Sequence, residues 1–283
     1  MSRTKCLTLS LFFLSSCMPE EDLPIRKVGE APEYFIECYC KPGKSFALAA
    51  TTVMPVSENL EIDFSTEMKV VIRTDRDIEL SHTLFVLPGS EFVYNYGSHE
   101  RLPDSGIDSL YLVILTHEGK MIRARTEIPS PIDVYGWDKL DNEVIVRFYT
   151  SPQPSENYYL LSAESLQKDS VVHKETAYLD YSKNPSSSLT ETSLTLPEEP
   201  VADKIILSLK RITQANYNYQ ISLRAANTAN QSSITTPVPL QGNIEGALGI
   251  FTCYTEYITE INPAAPQLRP FLSSQNRHRR TNL

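Results

Sequence analysis

The 283-residue sequence predicts a mainly β protein with two β-rich domains, the first an immunoglobulin-like antiparallel sandwich and the second β-rich with one helix. Three observations predict it. From Glu33 onward the apolar residues recur with a period of two, the spacing of half-buried strands, and not with the longer helical period. Turn chemistry interrupts these runs at short intervals, as in Lys41-Pro42-Gly43-Lys44 and His117-Glu118-Gly119-Lys120. Two prolines within three residues, Pro129-Ser130-Pro131, then mark a boundary between the two units.

Taken in order, Tyr34-Phe35-Ile36-Glu37-Cys38-Tyr39-Cys40 reads as the first strand and 46–53 as the second. Residues 68–72 and 82–87 follow, the latter ending at a turn on Pro88-Gly89, and 110–116 with 121–128 forms a hairpin. This first unit spans 33–130. The second spans 131–260. In it 143–149 alternates cleanly, with Val144, Val146 and Phe148 opposite Ile145, Arg147 and Tyr149. Ser151-Pro152-Gln153-Pro154 breaks the chain, 157–162 and 205–209 read as strands, and the polar 183–188 reads as a loop. One segment departs from the β pattern. Over 213–227, Ile212, Tyr219, Leu223 and Ala226 share a helical face and Thr213 can serve as N-cap, so one helix is predicted there. Its Tyr217 and Tyr219 read as packing side chains.

Ahead of the first strand lie a signal and a tether. Arg3 and Lys5 precede an apolar run over 7–14, which is roughly half the ~20 residues that a spanning helix needs. Residues 1–16 are therefore expected to be a cleaved signal peptide. Leu14-Ser15-Ser16-Cys17, small residues before a cysteine, resembles the lipobox of bacterial lipoproteins. Lipidation at Cys17 would hold the chain at the membrane almost irreversibly, since each buried methylene contributes about 0.8 kcal/mol. Residues 17–32 form an acidic tether. Its Met18-Pro19-Glu20-Glu21-Asp22 is similar to the signal that places Bacteroidota lipoproteins on the outer face of the outer membrane. The expected address is thus the outer membrane, lipid-anchored and exposed at the cell surface. At the other end 261–283, with its basic Arg277, His278, Arg279 and Arg280, is expected to be a disordered, solvated tail.

Removal of Arg3 and Lys5 with the signal takes 26 basic residues to 24, against 35 acidic ones, a formal net charge of −11. Such a balance argues against nucleic acid as a partner, because that affinity comes largely from neutralising phosphates. Of five cysteines, Cys6 leaves with the signal and Cys17 takes the lipid, so Cys38, Cys40 and Cys253 remain in a disulfide-permissive compartment. Cys38 and Cys40 point to one face of a strand, where direct bridging has poor geometry. A disulfide would join one of them to Cys253, with the pairing open; three buried thiols are the competing reading.

The motifs of common chemistries are missing from the sequence. His82, His99, His117, His173 and His278 make no paired metal motif, and no Gly-x-Ser-x-Gly elbow or phosphate loop occurs. Asp104-Ser105-Gly106-Ile107-Asp108 lacks the further acidic ligands of a calcium loop and reads as a turn. No metal, cofactor or catalytic residue is predicted. Fifteen tyrosines, including Tyr94 with Tyr96, Tyr158 with Tyr159 and Tyr254 with Tyr257, suit an interface only as a set.

Gly242-Asn243-Ile244-Glu245-Gly246-Ala247-Leu248-Gly249-Ile250-Phe251 resembles the closing motif of the DUF4249 lipoproteins of Bacteroidota. The early Cys-Tyr-Cys-Lys-Pro-Gly run, the 124–131 exit from the first unit, Glu156-Asn157-Tyr158-Tyr159 and the lone helix fit in the same order, so the resemblance reaches to about Ile258. Ala247 stands where that motif commonly has a glycine. Gly242, Asn243, Ile244, Gly246, Gly249 and Phe251 are expected to be structural, forming a tight loop into a last strand over 250–257. The family hands over no catalytic residues. Its frequent company with TonB-dependent outer-membrane transporters implies a non-enzymatic binding or accessory module for such a transporter, with its ligand unknown. The alternatives are a surface adhesin or structural protein and, further off, a hydrolase whose triad the sequence hides.

Overall fold

The computed structural model describes residues 33–53, 64–87, 92–198, 202–231 and 238–263. The signal peptide, Cys17, the tether up to Pro32, the Pro88-Gly89 turn and the tail from residue 264 lie outside the described residues.

The first half builds from seven strands: β1 (Tyr34–Cys40), β2 (Ser45–Thr52), β3 (Met68–Arg73), β4 (Asp77–Val86), β5 (Val93–Arg101), β6 (Ser109–Thr116) and β7 (Met121–Glu127). Alternation drives them. In β1 the side chains of Tyr34, Ile36, Cys38 and Cys40 are buried while Phe35, Glu37 and Tyr39 are half-buried on the other face. The second half adds β8 (Asp133–Leu140), β9 (Glu143–Tyr149), β10 (Tyr158–Gln167), β11 (Ser170–Asp180), β12 (Leu189–Thr195) and β13 (Lys204–Ile212). It closes with helix α1 (Gln214–Asn230), a two-residue β14 (Ile244–Glu245) and the long β15 (Leu248–Ile261).

The protein is thus mainly β, with one helix among the described residues. Thr213 caps that helix as expected, its hydroxyl accepting from the Asn216 amide at 3.1 Å, and the helix runs three residues past 227. The hairpin over 110–128 forms as β6 and β7. Strands β5, β8, β11 and β12 do not stand out in the sequence, because their exposed positions carry apolar residues or their buried ones carry polar groups.

Twelve strands make one sheet, in the order β11-β10-β13-β15-β1-β2-β5-β4-β3-β6-β7-β14, and β12-β9-β8 make a second. Strand β15 is the pivot. Its first part runs parallel to β1, from Phe35 beside Leu248 to Cys40 beside Cys253. Its second part pairs antiparallel with β13, from Tyr254 opposite Ile212 to Ile261 opposite Ile205. Two hydrophobic cores result. One gathers Ile36, Leu48, Val70, Ile72, Leu112 and Phe251 among others; the second gathers Val144, Phe148, Tyr159, Leu161, Leu207 and Ile261. The first draws on residues 34–122 and on 247–253, the second on 144–209 and Ile261, so β15 contributes to both.

A buried cation fixes that turn. Arg211, on β13, is only 2 % exposed and donates to the Ser130 carbonyl (2.9 Å), the Pro131 carbonyl (2.7 Å) and the Tyr159 hydroxyl (3.1 Å). Thr255 of β15 donates to the same Ser130 carbonyl at 2.8 Å. Guanidinium carries five donors in a fixed fork, which suits several carbonyls at once where a carboxylate partner is absent.

Candidate functional site

The most unusual surface is the β4–β5 hairpin. The pairing of β4 with β5 shifts register between His82 and Phe85, a bulge that bends the hairpin. On β5 the Asn95 side chain takes the place of a strand neighbour, accepting from the Ala50 amide at 2.8 Å and donating to the Ala50 and Ser65 carbonyls. Past the bulge, Phe85 pairs with Tyr94 and their rings stack at 5.7 Å. Gly97 makes room for that stack, since a Cβ there would lie 2.8 Å from the Phe85 ring. This face of the hairpin is closed.

The opposite face is open and apolar. Val86 and Val93 are directly paired, and they and Leu84 are 58 %, 38 % and 62 % exposed. Leu87 and Phe92, one residue beyond the Val86–Val93 pair, alternate onto the Phe85 and Tyr94 side. A strand pair apolar on both faces ordinarily has both covered, as between two sheets.

On the closed side of the hairpin the Phe92 ring lies 6.4 Å from that of Tyr39 on β1, beside the second feature. Between β1 and α1 runs a chain of polar groups. The hydroxyls of Tyr219 and Tyr39 both donate to one oxygen of Glu37, at 3.0 and 3.1 Å. Gln220 donates to Tyr39 at 3.2 Å and accepts from Tyr178 at 3.1 Å, and the Arg224 guanidinium sits 5.4 Å above the Tyr178 ring. Burial raises the Glu37 carboxyl above its ordinary range, with the two tyrosine hydroxyls pulling the other way. Burial and the neighbouring Glu37 push the Tyr39 and Tyr219 hydroxyls far up, so both are donors at any physiological pH. The arrangement clamps α1 to the sheet.

Beyond it, Lys41 reaches Glu256 at 2.5 Å, Ser208 donates to the same carboxylate at 2.7 Å, and Lys210 lies 4.9 Å over the Tyr254 ring. Burial alone would raise the Glu256 pKa, but Lys41, Ser208 and Lys210 together hold it below the ordinary value.

Two small clefts open elsewhere. One, about 250 Å³, sits where β7, the Pro129 turn and the start of α1 meet, lined by Arg125, Glu127, Glu156, Thr213 and Asn243 among others. The second, about 230 Å³, is lined by Glu33, Ser65, Glu67 and His117 among others. Ser65 Oγ is 3.3 Å from Thr52 Oγ1, and the His117 imidazole lies 3.8 Å from Glu118. Among the described residues no group of three or more His, Cys, Asp or Glu side chains is placed to hold a metal ion. No described helix is long and apolar enough to cross a membrane.

The glycine-rich segment takes a place no local reading could assign. Asn243 donates to the Arg125 and Phe251 carbonyls (3.0 and 2.8 Å) and accepts from the Phe251 amide (3.0 Å). It thereby ties β7 to β15. Ile244 pairs with Ala124, and Phe251 is fully buried. Gly249 lies against the Ile36 backbone and Gly242 against Gly249 itself. Gly246, at φ +88°, makes the turn between β14 and β15. Ala247 is not among the described residues with positive φ and packs into the first core, so alanine is unstrained there. Of the tyrosines singled out as pairs, Tyr94, Tyr96, Tyr158 and Tyr159 are buried, and Tyr254 and Tyr257 are half-buried. Asp104 closes a turn over Gly43, to which its carboxylate lies close. Cys38, Cys40 and Cys253 are buried free thiols in the first core. The exposed hairpin patch was the feature least visible in sequence: β5 carries Asn95, Gly97 and Ser98 at positions where a strand reading looks for apolar residues.

A family model described as a domain of unknown function, DUF4249, matches residues 27–260. No curated protein matches the chain.

Proposed function

The chain belongs to the DUF4249 family, and from that premise we propose that it is a lipid-anchored, non-enzymatic binding or accessory module that docks on a TonB-dependent transporter of the outer membrane. One observation carries the reading: the hairpin of β4 and β5 keeps Leu84, Val86 and Val93 open to solvent although its other face is already packed. Fully burying such a side chain contributes about 1.5–3 kcal/mol, and these three are about half exposed, so the patch supplies of the order of 2–5 kcal/mol toward a complex. Association entropy consumes much of that. Lipidation at Cys17 supplies the remainder, because a tethered domain meets a membrane partner at high effective concentration.

The acidic run behind Cys17 supports an outward-facing position at the cell surface. The two separate cores support reading 33–130 as the immunoglobulin-like sandwich and 131–260 as the second β-rich unit, with β15 shared between them.

The test is affinity purification of the tagged chain from detergent-solubilised membranes, beside a Leu84→Lys/Val93→Lys variant and a Cys17→Ala variant. Wild type should bring down a TonB-dependent barrel in near-stoichiometric amount, and the lysine variant about tenfold less, since a buried unpaired charge costs more than one decade of affinity. Cys17→Ala should leave the membrane fraction; its retention after a salt wash refutes the lipid anchor. Equal recovery by wild type and the lysine variant refutes the hairpin as the docking surface. Recovery of no barrel, with binding of the soluble domain to host or matrix material, moves the reading to an adhesin.

A further inference from the structure

We propose that Cys40 and Cys253 form a disulfide that staples the first strand of the fold to its last, leaving Cys38 as a thiol. The backbone register carries the inference. In the parallel pairing of β1 with β15, Cys40 is the direct neighbour of Cys253, whereas Cys38 is the neighbour of Phe251. Neighbouring strands lie roughly 4.8 Å apart, so the Cys40 and Cys253 α-carbons fall inside the ~4.4–6.8 Å range that disulfides span. Cys38 is displaced two residues along the strand from Cys253. That adds about 6.6 Å at right angles to the strand spacing and takes the pair to ~8 Å, outside the range.

Pairing of Cys38 with Cys40 is the remaining possibility. Their sulfurs are 3.7 Å apart, but both side chains stand parallel on one extended strand, where closing the bond would need the backbone to buckle. Side chains of Cys40 and Cys253 project into the same core, as the shared membership of Ile36, Leu48 and Phe251 shows. The bond therefore needs rotation about the side-chain torsions and no change of strand pairing.

In the step itself two thiols lose two protons and two electrons and gain one S–S bond. The acceptor is an external disulfide, of a dithiol–disulfide exchange protein or of oxidised glutathione, which is reduced to two thiols. Timing follows from burial. Both sulfurs are nearly inaccessible in the folded chain; the adjoining Cys38 sulfur, then burial, hold the Cys40 thiol well above the ordinary thiol range, and burial does the same for Cys253. Exchange thus proceeds while β15 docks against β1, and the finished bond is shielded from reductants. Because β15 is the last of the described strands, the bond closes almost the whole described chain into one loop, the case in which a crosslink constrains the unfolded state most.

The inference concerns the chain's own geometry, while oxidation in the cell rests on the export reading of the signal and Cys17. One experiment separates them. The mature lipoprotein is purified with free thiols alkylated, digested without reductant, and mapped by mass spectrometry; a second sample is reduced, unfolded and refolded with oxidised glutathione before the same mapping. The expected product in the refolded sample is a Cys40–Cys253 linked peptide, lighter by two hydrogens than its parts, with Cys38 alkylated. Cys38→Ala should keep the link. Alkylation of all three cysteines after oxidative refolding, or a link through Cys38, overturns the proposal. If the refolded sample is linked and the cell-derived one is not, the pairing stands and export to an oxidising compartment falls.

Discussion

Replacing Gly249 with alanine tests the whole account of how the two halves are joined. A Cβ on Gly249 would lie 1.9 Å from the Ile36 carbonyl oxygen, 2.8 Å from its carbon and 2.9 Å from its nitrogen. Real contacts of that kind stay above 3.0 Å, and the opposing atoms are backbone, so β1 and β15 must separate by more than 1 Å. The residue also sits at φ +111°, where a side chain costs about 1–2 kcal/mol. Separating the strands forfeits roughly two ladder hydrogen bonds at about 1 kcal/mol each. The expected loss is therefore about 3–4 kcal/mol, or about 6–15 °C in Tm for a chain of this size. Two companions separate the causes. Gly242→Ala meets the Gly249 carbonyl at the same 1.9 Å without a positive φ, so it should carry mainly the steric cost. Gly106→Ala, at φ +87° with nothing within 4 Å, should carry only the conformational cost of about 1–2 kcal/mol. Thermal and urea unfolding followed by circular dichroism reads all three. If Gly249→Ala is no less stable than Gly106→Ala, the close approach of β15 to β1 is not what selects glycine, and the reasoning fails.

Two further perturbations probe the buried polar groups. Arg211→Met should cost about 3–5 kcal/mol in urea unfolding, because the Ser130 and Pro131 carbonyls and the Tyr159 hydroxyl lose their shared donor; a loss under about 1 kcal/mol refutes the clamp. Burial raises the Glu37 pKa above 4.5, so the folded state binds that proton more tightly than the unfolded chain, and Glu37 withdraws stability as pH rises from 4.5 through the raised value. Glu256, held below 4.5, has the opposite sign: its contribution is present above 4.5 and is lost as pH falls through its lowered value. Glu37→Gln should therefore gain stability relative to wild type as pH rises above 4.5, and an unchanged pH profile in unfolding titrations would contradict the burial of that carboxyl.

The sequence by itself determined the elements whose cause is local. Alternation over 34–40 and 143–149 sets which side chains of β1 and β9 face inward, because successive side chains on a strand must point to opposite faces. Thr213 marks the start of α1, since its hydroxyl satisfies an amide that the first turn leaves unpaired. The glycine-rich run with Asn243 was legible as a structural motif. What it does was not: Asn243 bonds Arg125 and Phe251, and Gly249 meets Ile36 more than two hundred positions away. Strand partners are chosen by summed burial over many residues, a quantity no local pattern contains. Only the tertiary structure could therefore set β15 parallel to β1 and then antiparallel to β13, sharing one strand between two cores. The same holds for surface. Leu84, Val86 and Val93 read in sequence as ordinary strand residues, and whether an apolar side chain is core or contact depends on what the rest of the fold places against it. In this chain they stay 38–62 % exposed, and the register of two distant strands, not any cysteine spacing, sets Cys40 beside Cys253.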